Sequence, residues 1–572
     1  MNTYNFNKYN ESQFGFTSIQ IDNERLYVPR TAIYERLEKQ AELIFRKKFK
    51  PGVYSDPTII NDIYQKFFSF YLNKLDNSLP FLYSKDWLVF TLFQYEKSGD
   101  IAEKFKQNLL EESDNKYWYK NGALYRQTAD FLSEKMIEHS NELGENDLES
   151  LSEFEYYDIA WICSEYCVDY SSASNFSHMI SQDDYCVEIL PEGSYPYFVS
   201  KFDETRFHDC QKEYLIRANN DIVLRKKYFK SNTFEHDIQK HVKSLDKPLK
   251  EFIGMSYSEM IYLLTRVHLS VSPITEPGKI PMIEKEQYFN QFSSKGGFSL
   301  PAVEKVFDSV TLSKAKLKNE PRLIWNYKQQ NRISKKPFLE ITYKGNVRLL
   351  WSNHKLKDFF TLLNLDTTFK NFPIELCNES VNKAIDLISN QAGSWFESQL
   401  KELLNPLGIY GQTSVKKLKS MKLGMSICCS AGEIDFIGIS PIDNSIVIFE
   451  CKMLNSAFEV RGFRQTRDKF LKGKDSFVNK LAKKINWVFD NFDTIKSILC
   501  EIHGVDEKKI NRKVCCSFIT YFSSMAPCFF DSFPSLSLVN FIDKYKHAGK
   551  WNIPSGIRLK KIGDSELASL QL

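Results

Sequence analysis

The chain has 572 residues, 42% of them hydrophobic and 26% charged, with 76 basic against 72 acidic side chains for a net charge of +4. That balance belongs to a folded globular protein and excludes an intrinsically disordered one. No apolar run approaches the roughly 18 uncharged residues of a membrane span, and Met1–Phe6 lacks a basic segment ahead of an apolar one, so a cytoplasmic protein without membrane partner is expected.

At this length two or three domains are expected. The reading is a multidomain α and α/β protein: a helical N-terminal region over 1–145, a mainly helical middle region over 146–372 with a β-hairpin near 338–351, and a C-terminal domain over 373–572. In the first region Ile59, Ile63, Phe67, Phe68, Tyr71 and Leu72 recur at helical spacing. Aromatic residues at that spacing are usually core, so no base-stacking face is assigned to them. The acidic stretch from Glu142 to Glu155 has no apolar period before Phe154 and reads as a loop between subdomains.

Twelve cysteines without a secretory signal point to reduced thiols. Cys163, Cys167, His178, Cys186, His208 and Cys210 crowd together, but without a Cys-x-x-Cys pair. Cys163 and Cys167 lie four apart on an apolar helix and read as core rather than zinc ligands. Further on, Ser256-Tyr-Ser-Glu259 is a capping box opening a helix through Leu269, and Ser299 opens another. Phe338 to Trp351 reads as a hairpin turning at Lys344-Gly345-Asn346. Helices followed by a ribbon suit a winged-helix-like DNA reader, but without a basic recognition helix a scaffold is the favoured reading. Asp366 through Pro373 breaks the apolar period and is the expected join to the last domain. No phosphate-binding Gly-rich loop appears, so any ATPase activity has to come from a partner protein.

The C-terminal domain carries the chemistry. Trp395 to Leu404 has helical apolar spacing with Glu397 at one edge. Glu433 to Lys452 reads as two apolar strands joined at Pro441-Ile-Asp-Asn444, with Asp435 on the first and Glu450 and Lys452 ending the second. Alternation puts Glu450 and Lys452 on one face and Cys451 on the other, and Asp435 can then lie across from Glu450. Cleaving a phosphodiester calls for a divalent cation that neutralises charge and activates water, held by one or two carboxylates. Asp435 and Glu450 suit that task, and Lys452 suits the stabilisation of charge on the phosphate. An ordinary solvated strand end is the competing reading, because an isolated Glu-x-Lys triplet carries little information.

The order Gly393-Ser-Trp-Phe-Glu397, Glu433-Ile-Asp435, Phe449-Glu450-Cys451-Lys452 resembles the PD-(D/E)xK, or restriction-endonuclease-like, nuclease superfamily, closest to its Mrr-like and Holliday-junction-resolvase-like branches. The likeness covers roughly the last third of the chain. It implies a mostly four-stranded mixed sheet flanked by helices, Mg²⁺- or Mn²⁺-dependent hydrolysis and DNA as substrate. Glu397 would complete the metal or water shell, with Asp435, Glu450 and Lys452 as the central triad and Asp435 and Glu450 as metal ligands. Ile434 stands where the family has proline. Gln465 is followed by Lys469 rather than by an aromatic four residues on, so the branch carrying that pair is not supported.

Charge is unevenly divided. Residues 379–572 hold 27 basic and 20 acidic side chains, a net +7, and the remainder is −3. Arg461, Arg464, Arg467, Lys469, Lys472, Lys474, Lys480, Lys483 and Lys484 crowd what reads as one helical region. Arg461, Arg464, Gln465, Arg467, Lys469 and Lys472 are the expected DNA contacts, since phosphate binding gains from clustered cations. The run Lys416 to Lys422 is a second candidate for the same groove. The function expected is a DNA endonuclease of microbial restriction or antiviral defence, acting as a homo-oligomer or with a partner. The alternatives are a junction nuclease of DNA repair and a nucleic-acid sensor or assembly subunit with a silent site.

Overall fold

A computed structural model of the chain describes residues 17–82, 85–139, 151–178, 185–194, 196–202, 214, 217–218, 220–221, 223–229, 238–270, 274, 279–318, 331–454, 460–525 and 533–551. The architecture is multidomain, helical first and α/β last. Two compact units emerge. One spans 1–174, 186–200 and 238–386, and the other spans 175–185, 201–237 and 387–572. The boundary therefore falls inside the helix Glu379–Leu404 rather than at 372/373, and no boundary falls at 145/146. Asp366, expected in the join, instead closes the helix Asn353–Thr368 by accepting from the backbone of Phe369 and Asn371. Of the acidic stretch, residues 142–150 lie outside the described residues, and Leu151 already opens a helix running to Ser177.

In the first unit the helix Pro57–Ser78 buries Ile63, Phe67, Phe68, Tyr71 and Leu72 as spacing implies, and Asp56 caps it through Thr58 N at 2.7 Å. Ile59 departs from the expectation: it is exposed, and Ile60 takes the buried place in the first turn. Cys163 and Cys167 are buried free thiols, as a core reading requires, whereas His208 and Cys210 lie outside the described residues. The capping box at Ser256 and Glu259 is formed and its helix spans Tyr257–Leu269. Ser299 precedes the helix Leu300–Val310 but makes no side-chain cap. The hairpin Phe338–Tyr343 and Asn346–Leu350 turns at Lys344 (φ 50°) and Gly345 (φ 72°), the two left-handed residues of a type I′ turn. It forms the middle of a four-stranded sheet.

The second unit is built from α1 (Glu379–Leu404, from residue 387 on), β1 (Tyr410–Val415), β2 (Lys417–Ser420), β3 (Met425–Cys428), β4 (Ile434–Ser440), β5 (Ser445–Lys452), α2 (Val460–Leu471), α3 (Phe477–Asp490), α4 (Phe492–His503), β6 (Val514–Thr520), β7 (Ser535–Ser537) and α5 (Leu538–Ala548). Five strands, one more than the family likeness implies, form a mixed sheet in the order β1-β4-β5-β6-β7. β1/β4 and β4/β5 are antiparallel, whereas β5/β6 and β6/β7 are parallel. Central β5 is apolar on both faces because both faces are covered. Ile446 and Ile448 pack with Phe470, Leu481, Ile485 and Val488 of α2 and α3. Val447, Phe449 and Cys451 pack with Phe396 and Leu400 of α1 and Phe541 of α5. Each such fully buried side chain contributes about 1.5–3 kcal/mol.

Two local devices fix the pairing of β4 with its two neighbours, β5 and β1. Asp443 in the turn accepts from Ser440 Oγ, Tyr545 OH and Trp551 N, each at 2.7 Å. Gly411 of β1 faces Gly438 of β4, where a Cβ on Gly438 would stand 2.3 Å from the Tyr410 carbonyl oxygen. Only glycine allows strands that close.

Candidate active site

Strand pleating delivers Glu450 and Lys452 to the sheet face covered by α3, and Cys451 to the other. Asp435, one residue into β4, reaches the end of β5 and its Oδ2 accepts from Cys451 N at 2.7 Å. Lys452 Nζ donates to Glu450 Oε1 at 2.7 Å and to Asp435 Oδ2 at 3.4 Å, and sits 5.0 Å from the ring centre of Phe477. The structure thus brings together Asp435, Glu450 and Lys452. Glu450 is only 3% exposed, which rules out a solvated strand end.

Glu397 comes from α1, the layer on the other side of the sheet, where Phe396 and Leu400 anchor the helix in the core. Its Oε2 accepts from Ser414 Oγ. Ser414 has φ 53°, an uncommon left-handed conformation for a residue with a side chain, of the kind that clusters at functional sites. Glu397 and Asp435 feel each other's charge.

A fifth member of the site was not among the expected catalytic residues. Lys484 Nζ of α3 donates to Glu450 Oε2 at 2.5 Å, so both oxygens of Glu450 are held by ammonium groups. Lys484 is buried among Leu481, Ile485 and Val488. The signal lay in the sequence: Lys484 is the i+3 member of an apolar face whose i, i+4 and i+7 members are Leu481, Ile485 and Val488, and a buried ammonium there calls for a carboxylate partner. Ser414 left no such signal.

Electrostatics separates the groups. Burial pushes the Asp435 carboxyl above its ordinary range; Lys452 pulls it back and the Glu450 charge adds to the rise. Glu397 is likewise raised by burial, eased by the Ser414 hydrogen bond and raised further by Asp435 and Glu433. For Lys452 burial works to remove the charge, but Glu450 and Asp435 outweigh it and the ammonium is raised above its ordinary value. Burial drives the Cys451 thiol far upward, leaving it a core residue rather than a nucleophile.

Whether these residues suit a divalent cation turns on their free oxygens. No ready-made cage of three His, Cys, Asp or Glu side chains occurs among the described residues. Mg²⁺ needs only one or two carboxylates, because it keeps most of its waters. Among the described residues Asp435 Oδ1 and Glu397 Oε1 take no hydrogen bond, and both carboxyls carry an electrostatic penalty that a cation would relieve. Asp435 and Glu397 are therefore the side chains with an oxygen open to a cation. Glu450, the expected second ligand, accepts one lysine at each oxygen, which leaves a further lone pair on each for a cation.

The basic segment is two helices rather than one: α2 ends before Gly473 (φ 86°), and Ser476 caps α3. On α2, Gln465 and Lys469 are exposed and Arg464 and Arg467 half-buried, with exposed Lys472 just beyond the helix. Arg467 Nη1 pairs with Asp468 at 3.1 Å. The Arg461 side chain lies outside the described residues. His178 feels the charges of Arg464, Lys472 and Arg467, and burial, then those cations, depress its imidazole. Lys474, Lys480 and Lys483 are exposed, whereas Lys484 turns inward. No helix among the described residues is long and apolar enough to cross a membrane.

No known family profile, curated protein or solved structure matches this chain.

Proposed function

We propose that this protein is a Mg²⁺- or Mn²⁺-dependent deoxyribonuclease whose C-terminal unit is a restriction-endonuclease-like domain. One observation carries the reading: at the end of a central strand of a mixed sheet, Lys452 is clamped between the carboxylates of Asp435 and Glu450, with Glu397 close enough to feel Asp435. A bound cation would supply charge neutralisation and an activated water. Asp435 and Glu397 would hold it. Lys452, fixed by Glu450, presents a permanent positive charge to the scissile phosphate and orients the water by hydrogen bonding. Its raised pKa makes it an electrostatic group rather than a base at neutral pH. Lys484 positions Glu450 and through it Lys452. Restriction or antiviral defence is the setting this activity suits, with junction processing in repair as the enzymatic alternative, and self-association or an ATPase partner would complete such a system.

A second reading has a specific observation behind it. Both oxygens of Glu450 are taken by lysines, as in a purely structural ion-pair cluster, which favours a nucleic-acid-binding subunit whose site is silent or activated by a partner.

Incubating the purified chain with plasmid, linear duplex, single-stranded DNA and RNA, each with Mg²⁺, Mn²⁺ or EDTA, separates the two. Metal-dependent scission of at least one DNA form is expected. Inertness on every substrate with both metals favours the binding subunit.

A further inference from the structure

We infer that the two-stranded ribbon β2–β3 is a docking element for the backbone of double-stranded DNA entering the candidate site, an inference that rests on the deoxyribonuclease reading above. The ribbon leaves the sheet between Val415 and Ile434, which pair with each other. Ser414, the partner of Glu397, and Asp435 are the residues next to that pair, so the ribbon is rooted on the site itself. At the root Lys416 Nζ pairs with Glu433 at 3.1 Å.

Alternation sorts the ribbon's two faces. Leu418 and Ser420 are buried, and Ser420 Oγ donates to Glu501 Oε2 of α4 at 2.7 Å, which holds the inner face down. Lys417 and Lys419 point outward, about 6.8 Å apart for a two-residue step along a strand. Their cross-strand neighbours, Cys428 and Ser426, are small and exposed, so no bulky side chain opposite them covers the two ammonium groups. At the tip Met421 is 79% and Leu423 43% exposed, beside exposed Lys422.

Lysines on a strand edge often serve only to prevent edge-to-edge pairing. That role gives no reason for two large apolar side chains standing in water at the tip. A basic face ending in an apolar tip, on a ribbon that pairs with no other strand among the described residues, matches duplex DNA: lysines take the phosphates, a two-stranded ribbon fits the major groove, and apolar side chains contact base edges or steps. The exposed lysines of α2 and the α2–α3 turn supply further cations in the same unit.

The test is duplex binding by the full chain in EDTA, measured across a range of salt concentrations for the wild type, Lys417→Ser/Lys419→Ser and Met421→Ser/Leu423→Ser. All four positions are exposed, and unchanged melting profiles certify the fold. The lysine variant is expected to flatten the slope of log K against log salt by about 1.8, or 0.9 per lost phosphate contact. The tip variant is expected to weaken binding without changing the slope. A slope and affinity unchanged in the lysine variant, or no duplex binding by the wild type, overturns the inference. Cleavage is scored separately with Mg²⁺: a chain that binds through the ribbon but never cuts keeps this inference and loses the nuclease reading, and one that cuts with an unaltered slope does the reverse.

Discussion

Asp435→Asn is expected to abolish metal-dependent cleavage and, at neutral pH, to raise rather than lower the thermal midpoint. The two effects share a cause. Asp435 is mostly enclosed, its side chain 16% exposed, and even with Lys452 beside it the carboxyl is raised above the ordinary value of 3.8. A folded-state pKa above the unfolded one means that the fold disfavours the ionised form. That cost is absent below the unfolded pKa and fully present once pH exceeds the folded one. Asn has the shape of the neutral acid, and its side-chain oxygen can still accept from Cys451 N, so the substitution removes the cost and keeps the bond. Activity goes the other way, because a first ligand to the cation has lost its charge. Several kcal/mol of transition-state stabilisation correspond to about a 10³-fold loss of rate. Scanning calorimetry of the full chain checks the stability half, and a lowered midpoint would mark Asp435 as a structural ion-pair partner.

Glu450→Ala is expected to cost about 3–5 kcal/mol of stability, because it strands the Lys484 ammonium on fully packed α3 and leaves Lys452 with Asp435 alone. Side chains of Lys452 and Lys484 are 17% and 7% exposed, so water cannot take over from the lost carboxylate. Inactivity of this variant is therefore ambiguous, since a destabilised central strand would also fail to cut. Glu450→Gln keeps one acceptor and should lose less. Adding Lys484→Met to Glu450→Ala removes the uncompensated buried charge and should recover a large part of the loss. Denaturant unfolding of the single and double variants gives the coupling energy directly. Additive losses would show that Lys484 and Glu450 do not depend on each other.

What could be read along the chain was local. The apolar runs around Pro441–Asn444 specify the hairpin, and its pleat puts Glu450 and Lys452 on one face and Cys451 on the other. Ser256 and Glu259 announce their helix because both halves of the capping box are within four residues. Contacts across long sequence distances were harder to read. Lys484 lies 34 residues from Glu450 and looked like one more surface cation among nine, although its place on an apolar stripe distinguished it. Gly473, which divides the basic segment into two helices, is a turn signal that charge counting passes over. The fifth strand, Ser535–Ser537, is three residues long and has no period to detect. The unit boundary inside Glu379–Leu404 is invisible to composition, because a continuous helix carries no break.

The most direct measurement is plasmid nicking by wild type and Lys452→Met at concentrations of Mn²⁺ that calorimetry shows to saturate each protein. Lys452 contacts two carboxylates but is not itself a metal ligand, so the variant is expected to bind Mn²⁺ with at least wild-type affinity. It should nonetheless cut more slowly by about 10²–10³-fold, the usual cost of one preorganised charge-stabilising donor. Equal nicking rates for the two proteins at matched occupancy would contradict the account.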